Sequence, residues 1–233
     1  MPSPRDDRLL VWDLPLRLFH WALAMSVIIG VVAVNMGRMD IHERAGLTVL
    51  ALVIFRLIWG FAGGHHARFV NFVRSPMAVL QWVRGASEPA AKNRTVSRPA
   101  GHSPLAALSV LALLGITGFL ASTGLFSTDG ILFDGPLAHL SPVPPDLMAA
   151  IHHRGKPVLI LLVVLHIGAI LVYKFRKKVG LTKAMVTGRA TDAPDRIVGK
   201  DGAISRARLI CGLALMAGLQ LATHALPLLR PSW

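Results

Sequence analysis

The stretch AAIHHRGKPVLILLVVLHIGAILVY, Ala149 to Tyr173, decides the architecture. From Val158 onward it carries no Asp, Glu, Lys or Arg, and it is long enough to cross a hydrocarbon layer, which takes about 20 helical residues. Four further segments share its character: Leu16 to Met36, Ala45 to Gly63, Pro104 to Phe126 and Leu209 to Leu229. Their apolar runs are continuous, whereas the strands of a membrane barrel alternate with period two over about ten residues. The sequence therefore predicts an all-α membrane protein with five transmembrane helices.

Composition agrees. The 233 residues are 53% hydrophobic and only 16% charged, too apolar for an ordinary soluble domain. The net charge of +13 raises the question of a nucleic-acid partner, but the length of the apolar runs favours membrane topology as its cause, so no nucleic acid is expected. One cysteine, Cys211, excludes an internal disulfide, a cysteine-ligated zinc or iron–sulfur cluster and a C-x-x-C-H haem attachment. Any metal must be held by histidine, carboxylate or a cofactor. Met1 to Leu10 lacks the features of a cleaved signal peptide, so the first span is expected to be retained. There is no internal repeat and no low-complexity tract; Ser87 to Pro104 has the composition of a flexible connector.

Cytoplasmic loops collect Lys and Arg. Between spans two and three, Arg68, Arg74, Arg84, Lys92, Arg94 and Arg98 face one acid, Glu88. Between spans four and five the chain runs through Lys174, Arg176, Lys177, Lys178, Lys183, Arg189, Arg196, Lys200, Arg206 and Arg208. Ser127 to Ile151, in contrast, has Asp129, Asp134 and Asp146 and neither Lys nor Arg, together with the turn formers Gly130, Gly135, Pro136, Pro142, Pro144 and Pro145. This pattern predicts an N-terminus inside and a C-terminus outside.

An ionisable side chain at membrane depth is costly and marks a candidate functional site. His20 lies early in span one, His42 at the start of span two, and His152 and His166 on span four. The last two are separated by about 3.9 helical turns, roughly 21 Å, and so lie on nearly one face at two depths. With spans one and two antiparallel, the depths match in pairs: His20 with His166 on the inner side, His42 with His152 on the outer. Facing imidazoles from different helices of a bundle can supply both axial ligands to a flat macrocycle, and two haems would use all four. Tetrahedral zinc fits worse, since it needs about four ligands at one point. Pro157 is expected to kink span four, and His153 competes with His152 as the outer ligand. His65, His66, His102, His139 and His224 read as less specific.

Arg56 on the inner half of span two needs either a partner, for which a haem propionate is suited, or an outlet to the inner headgroups. Arg17 and Arg154 are similar candidates nearer the two interfaces. Gly46, Gly115, Gly118 and Gly168 allow a macrocycle or another helix to approach. Trp12, Trp21, Trp59 and Trp82 read as interfacial belt residues.

VWDLPLRLFHW (Val11 to Trp21), IHERAGLTVLALVIFRLIWGF (Ile41 to Phe61), GHSPLAAL (Gly101 to Leu108), TGLFSTDGILFDGPLA (Thr123 to Ala138) and IHHRGKPVLILLVVLHIG (Ile151 to Gly168) together resemble the bacterial cytochrome b561 family and the b-type cytochrome subunits of nickel–iron hydrogenases. The resemblance extends from about Val11 to Gly188. It implies a four-helix transmembrane bundle holding two b haems at positions matching His20, His42, His152 and His166, and it favours His152 over His153. Residues 11–188 would then be a dihaem cytochrome b domain in the bacterial cytoplasmic membrane. Residues 189–233 would form a basic connector and a fifth transmembrane helix.

The resemblance also implies electron transfer with quinone and a redox partner. The acidic outer loop suits a basic soluble cytochrome c, and the basic inner loops suit an acidic dehydrogenase or hydrogenase domain, or anionic membrane lipid. Two rivals stand beside this reading. One is a superoxide-oxidising quinone reductase of the same family, against which the absence of Lys and Arg from the outer loop counts; the other is a non-redox transporter or anchor.

Overall fold

The computed structural model describes residues 10–73, 77, 98–99, 104–128, 130–131, 133–176, 178–189, 197–198 and 202–231. Asp13 opens the first helix. Its backbone is extended, its carboxylate accepts the N–H of Leu16 at 2.9 Å, and Pro15 sits in the first turn, where a missing N–H costs nothing. Helix α1 then runs over Leu14–Asn35. Gly37, at φ +68°, turns the chain through a left-handed conformation into α2, Met39–Ala62.

Helix α2 thus starts at Met39, earlier than the apolar run at Ala45, and His42 lies in its first turn. The intervening Asp40, Glu43 and Arg44 lower the apolar signal, yet two of these charges are paired: Asp40 with Arg38 at 3.0 Å, Glu43 with Arg230 at 2.6 Å.

A 3-10 turn at His65–Ala67 and the short α3, Phe69–Phe72, follow. The remaining helices are α4, Pro104–Leu125; α5, Pro145–Arg176; α6, Leu181–Thr187; and α7, Arg206–His224, with a final 3-10 turn at Leu226–Leu229. Among the described residues, helices α1, α2, α4, α5 and α7 are long and apolar enough to cross a membrane. Among the described residues, extended pairing is limited to two-residue strands, β1 at Arg98–Pro99 parallel to β2 at Ile197–Val198, and isolated bridges. The architecture is an all-α transmembrane bundle.

Pro157 lies inside α5, whose helical assignment continues through it. Close lateral packing holds the helix there: a Cβ on Gly155 would lie 2.6 Å from Leu120 of α4. One lost backbone hydrogen bond is tolerated where a neighbouring helix covers the site.

Helix α2 is the axis of the bundle, packed against α1, α4 and α7. Phe55 and Trp59 stack at 5.6 Å, Phe19 of α1 meets Phe55 at 6.3 Å, and Leu52, Val53, Leu114 and Ala121 fill the space between α2 and α4. Trp59 is 2% exposed, so it is a core residue and not part of an interfacial belt. A Cβ on Gly212 of α7 would come within 2.6 Å of its ring, so the glycine lets α7 sit directly on α2. Lipid tails are as apolar as these side chains, so such close packing, more than burial itself, holds helices together in a bilayer. Ile28, Phe61, Val164 and Leu221 point outward.

The two ends of the bundle differ. At the basic end, Val11 and Trp12 both donate to the Gly188 carbonyl, at 2.8 and 3.0 Å, and Gly202 donates to that of Leu10 at 2.7 Å. These bonds tie the entry of α1 to the exit of α6 and the approach to α7. At the hairpin end, the segment between α4 and α5 folds back through Gly135 N–H to Ser127 at 2.8 Å and Leu137 N–H to Leu125 at 2.9 Å.

Candidate functional site

At the hairpin end, His42 of α2 and His152 of α5 face each other with ring centres 6.1 Å apart and planes at 86°. Each is oriented by the same ring nitrogen. Nδ1 of His42 lies 2.8 Å from the Gly30 carbonyl of α1, and a carbonyl only accepts, so Nδ1 carries the proton. Nδ1 of His152 lies 3.1 Å from the Thr123 hydroxyl of α4, whose own proton is given to the Phe119 carbonyl at 2.9 Å. The threonine oxygen therefore accepts from His152. In both rings Nε2 is left with a free lone pair, the form in which imidazole binds a metal. His153 is exposed, its ring centre 6.1 Å from that of His152, and Arg154 is exposed beside it.

The two imidazoles line a common, partly open cleft between α1, α2, α4 and α5. Val27, Val31, Leu47, Leu120 and Leu159 make its walls apolar, and Glu43, Lys156 and Thr128 lie among its polar lining. Gly46 also lines it, and a Cβ there would meet nothing within 4 Å.

At the basic end, His20 of α1 lies in the neighbourhood of His166 of α5. His166 Nδ1 lies 3.4 Å from the Ser109 hydroxyl of α4, while Nδ1 of His20 is buried with no hydrogen-bond partner. Arg56 is 2% exposed, so its guanidinium does not reach the headgroups. It lies over the Phe69 ring at 4.6 Å, within the field of Asp13, and its Nη1 has no hydrogen-bond partner. Asp13 in turn accepts from Trp59 Nε1 at 3.2 Å and from the Gly64 N–H at 3.1 Å. Arg17 donates from Nη2 to the Val186 carbonyl of α6, and its Nε is buried without a partner.

Residues 11–188 match the family described as prokaryotic cytochrome b561. The chain belongs to that family. No curated protein and no solved structure gives a match. As a cytochrome b561 the chain is a multi-pass membrane b-type cytochrome, and its family implies haem b.

The residues present fit that group. Two imidazole nitrogens at about 2 Å on either side of a first-row metal would put the ring centres roughly 6 Å apart, as those of His42 and His152 are. Among the described residues, no three His, Cys, Asp or Glu side chains converge as a metal site. Two protein ligands at one point suit a metal whose remaining ligands come from a macrocycle. The apolar walls and the open space over Gly46 leave room for its plane.

Of the predicted site residues, the structure brings together His42 with His152 and His20 with His166, and places Arg56 and Arg17 at the basic end. His224 is elsewhere, 3.0 Å from the Thr48 hydroxyl, and His139 lies in the turn before α5. Trp82 and His102 fall outside the described residues. Sequence reasoning missed Gly30, Thr123, Asp13, Glu43 and Arg230. Asp13 alone had a local signal, a cap residue two positions before a proline; the others act through tertiary contacts.

Proposed function

We propose that this cytochrome b561 carries electrons across the membrane between a quinone and a redox partner protein, with one b haem held by His42 and His152 and a second by His20 and His166. The observation that carries this reading is the facing pair His42 and His152, both with Nδ1 committed to a protein oxygen and Nε2 free. Held by these imidazoles, a b haem would supply one-electron exchange. The chain's own part is to fix the imidazoles through Gly30, Thr123 and Ser109, to exclude water with apolar walls, and to offer unsatisfied guanidinium N–H groups at Arg56 and Arg17 to propionates at the basic end.

The charge pattern supports placing the basic end in the cytoplasm and the hairpin end outside, with the N-terminus inside and the C-terminus outside. Asp134 and Asp146 at the hairpin end suit a basic soluble cytochrome c. The basic end suits an acidic dehydrogenase or hydrogenase domain.

The test is a pyridine haemochrome assay with a reduced-minus-oxidised spectrum of the purified protein, repeated for His20→Ala, His42→Ala, His152→Ala and His166→Ala. About two haems per chain, falling to about one in each variant, is expected. A folded wild type without haem would refute the reading.

One observation favours a second reading, oxidation of two superoxide ions to two dioxygen with two electrons and two protons delivered to a quinone. Lys156 lines the hairpin-end cleft and would attract the anion. Quinone-dependent loss of superoxide, abolished by Lys156→Glu, would support it.

A further inference from the structure

Residues 189–233 lie outside the family match, yet the chain after α7 brings Arg230 to Glu43, which lines the hairpin-end cleft. Three contacts seat α7 on α2 on the way: Gly212 against Trp59, His224 Nε2 at 3.0 Å from the Thr48 hydroxyl, and Gln220 Nε2 donating to the Thr48 carbonyl at 3.5 Å. The final 3-10 turn then delivers Arg230. Its Nη2 pairs with Glu43 Oε1 at 2.6 Å and donates to the Asp134 carbonyl at 2.8 Å, and its guanidinium lies 5.9 Å from the Phe133 ring centre. Glu43 adjoins His42, and Glu43 and Phe133 both line the cleft. The carboxylate of Asp134 is occupied by the Thr128 hydroxyl, which leaves its backbone oxygen for the arginine.

We propose that Arg230 is a positioning residue for the hairpin-end redox site, neutralising Glu43 at its rim and fastening residues 133–136 across its mouth. This rests on the reading that His42 and His152 hold a haem. The Glu43 side chain is 12% exposed, so water screens its charge poorly. A bare carboxylate beside an iron favours the more positive, oxidised state and lowers the reduction potential; a paired guanidinium cancels that field. The segment after the fifth membrane helix therefore supplies the cation that pairs with Glu43.

The test is an anaerobic spectroelectrochemical titration of the full chain in detergent. The hairpin-end wave is the one lost in His152→Ala. Arg230→Gln is expected to lower that midpoint, Glu43→Gln to raise it, and the double variant to return it close to wild type, with the basic-end wave unmoved throughout. An unmoved hairpin-end midpoint in Arg230→Gln, or an equal shift of both waves, overturns the proposal. If Arg230→Gln loses the hairpin-end wave, Glu43→Gln decides alone: a raised midpoint supports the proposal and an unchanged one overturns it.

Hydrogen–deuterium exchange reads the fastening without reference to haem. Amides of residues 133–137 should exchange about tenfold faster in Arg230→Gln, and unchanged exchange overturns that part. Failure of the underlying haem reading would be seen separately, as a wild type without two b-type waves.

Discussion

Replacing Asp13 by Ala should destabilise the protein by about 3–5 kcal/mol, because one carboxylate serves four groups. The side chain is 2% exposed. Losing the cap on Leu16 costs about 1 kcal/mol. The Trp59 Nε1–H and the Gly64 N–H would be left buried without acceptors, at about 1–2 kcal/mol each. Arg56, buried within the field of Asp13, would lose its nearest compensating charge, and the remaining contact with Phe69 replaces only part of it. These costs overlap, which keeps the expectation below their full sum.

Unfolding by SDS in mixed micelles, followed by tryptophan fluorescence, measures the difference. Asp13→Asn should fall between wild type and Asp13→Ala, since the amide oxygen still accepts at the cap but the negative charge is gone. A loss below about 1 kcal/mol for Asp13→Ala, the level of an ordinary substitution, would refute the hub reasoning.

Two further outcomes concern the hairpin end. Thr123→Val removes the acceptor that orients His152 and should weaken haem retention there about tenfold, read as loss of the hairpin-end absorbance during dialysis against apomyoglobin, while the basic-end signal persists. Gly46→Phe places a ring where a Cβ now meets nothing within 4 Å. It should leave about one haem per chain by pyridine haemochrome with the helical circular dichroism unchanged, and two haems would refute the view that the cleft over Gly46 is the binding space.

The spans were legible because a helix in lipid has to be apolar over its whole crossing length, so α1, α4 and α5 follow directly from Leu16, Pro104 and Ala149 onward. The pairing of histidines was legible for a simpler reason. A fixed rise per residue converts the spacing of His152 and His166 into depth, and the hairpin reverses depth between His20 and His42. The start of α2 was not, since Asp40, Glu43 and Arg44 read as loop until their partners are known. Arg230 meets Glu43 across a sequence separation of 187, and nothing local announces that contact. Trp59 was misread because position along the membrane normal says where a tryptophan sits in depth, not whether it faces lipid or protein. Arg56 was singled out as needing a partner, but the groups around it, Asp13 and Phe69, come from other parts of the chain.

Helix α1 contributes to both sites at once: His20 near one end and, ten residues on, the Gly30 carbonyl that fixes His42. A rod shared in this way cannot shift along its axis for one site alone. Sliding it by one helical turn would carry Gly30 away from His42 and His20 away from His166 in the same movement. The two sites are therefore gauged by one ruler. A change that shifts α1 along its axis should accordingly disturb both sites together, whereas a change confined to the lining of one leaves the other in place.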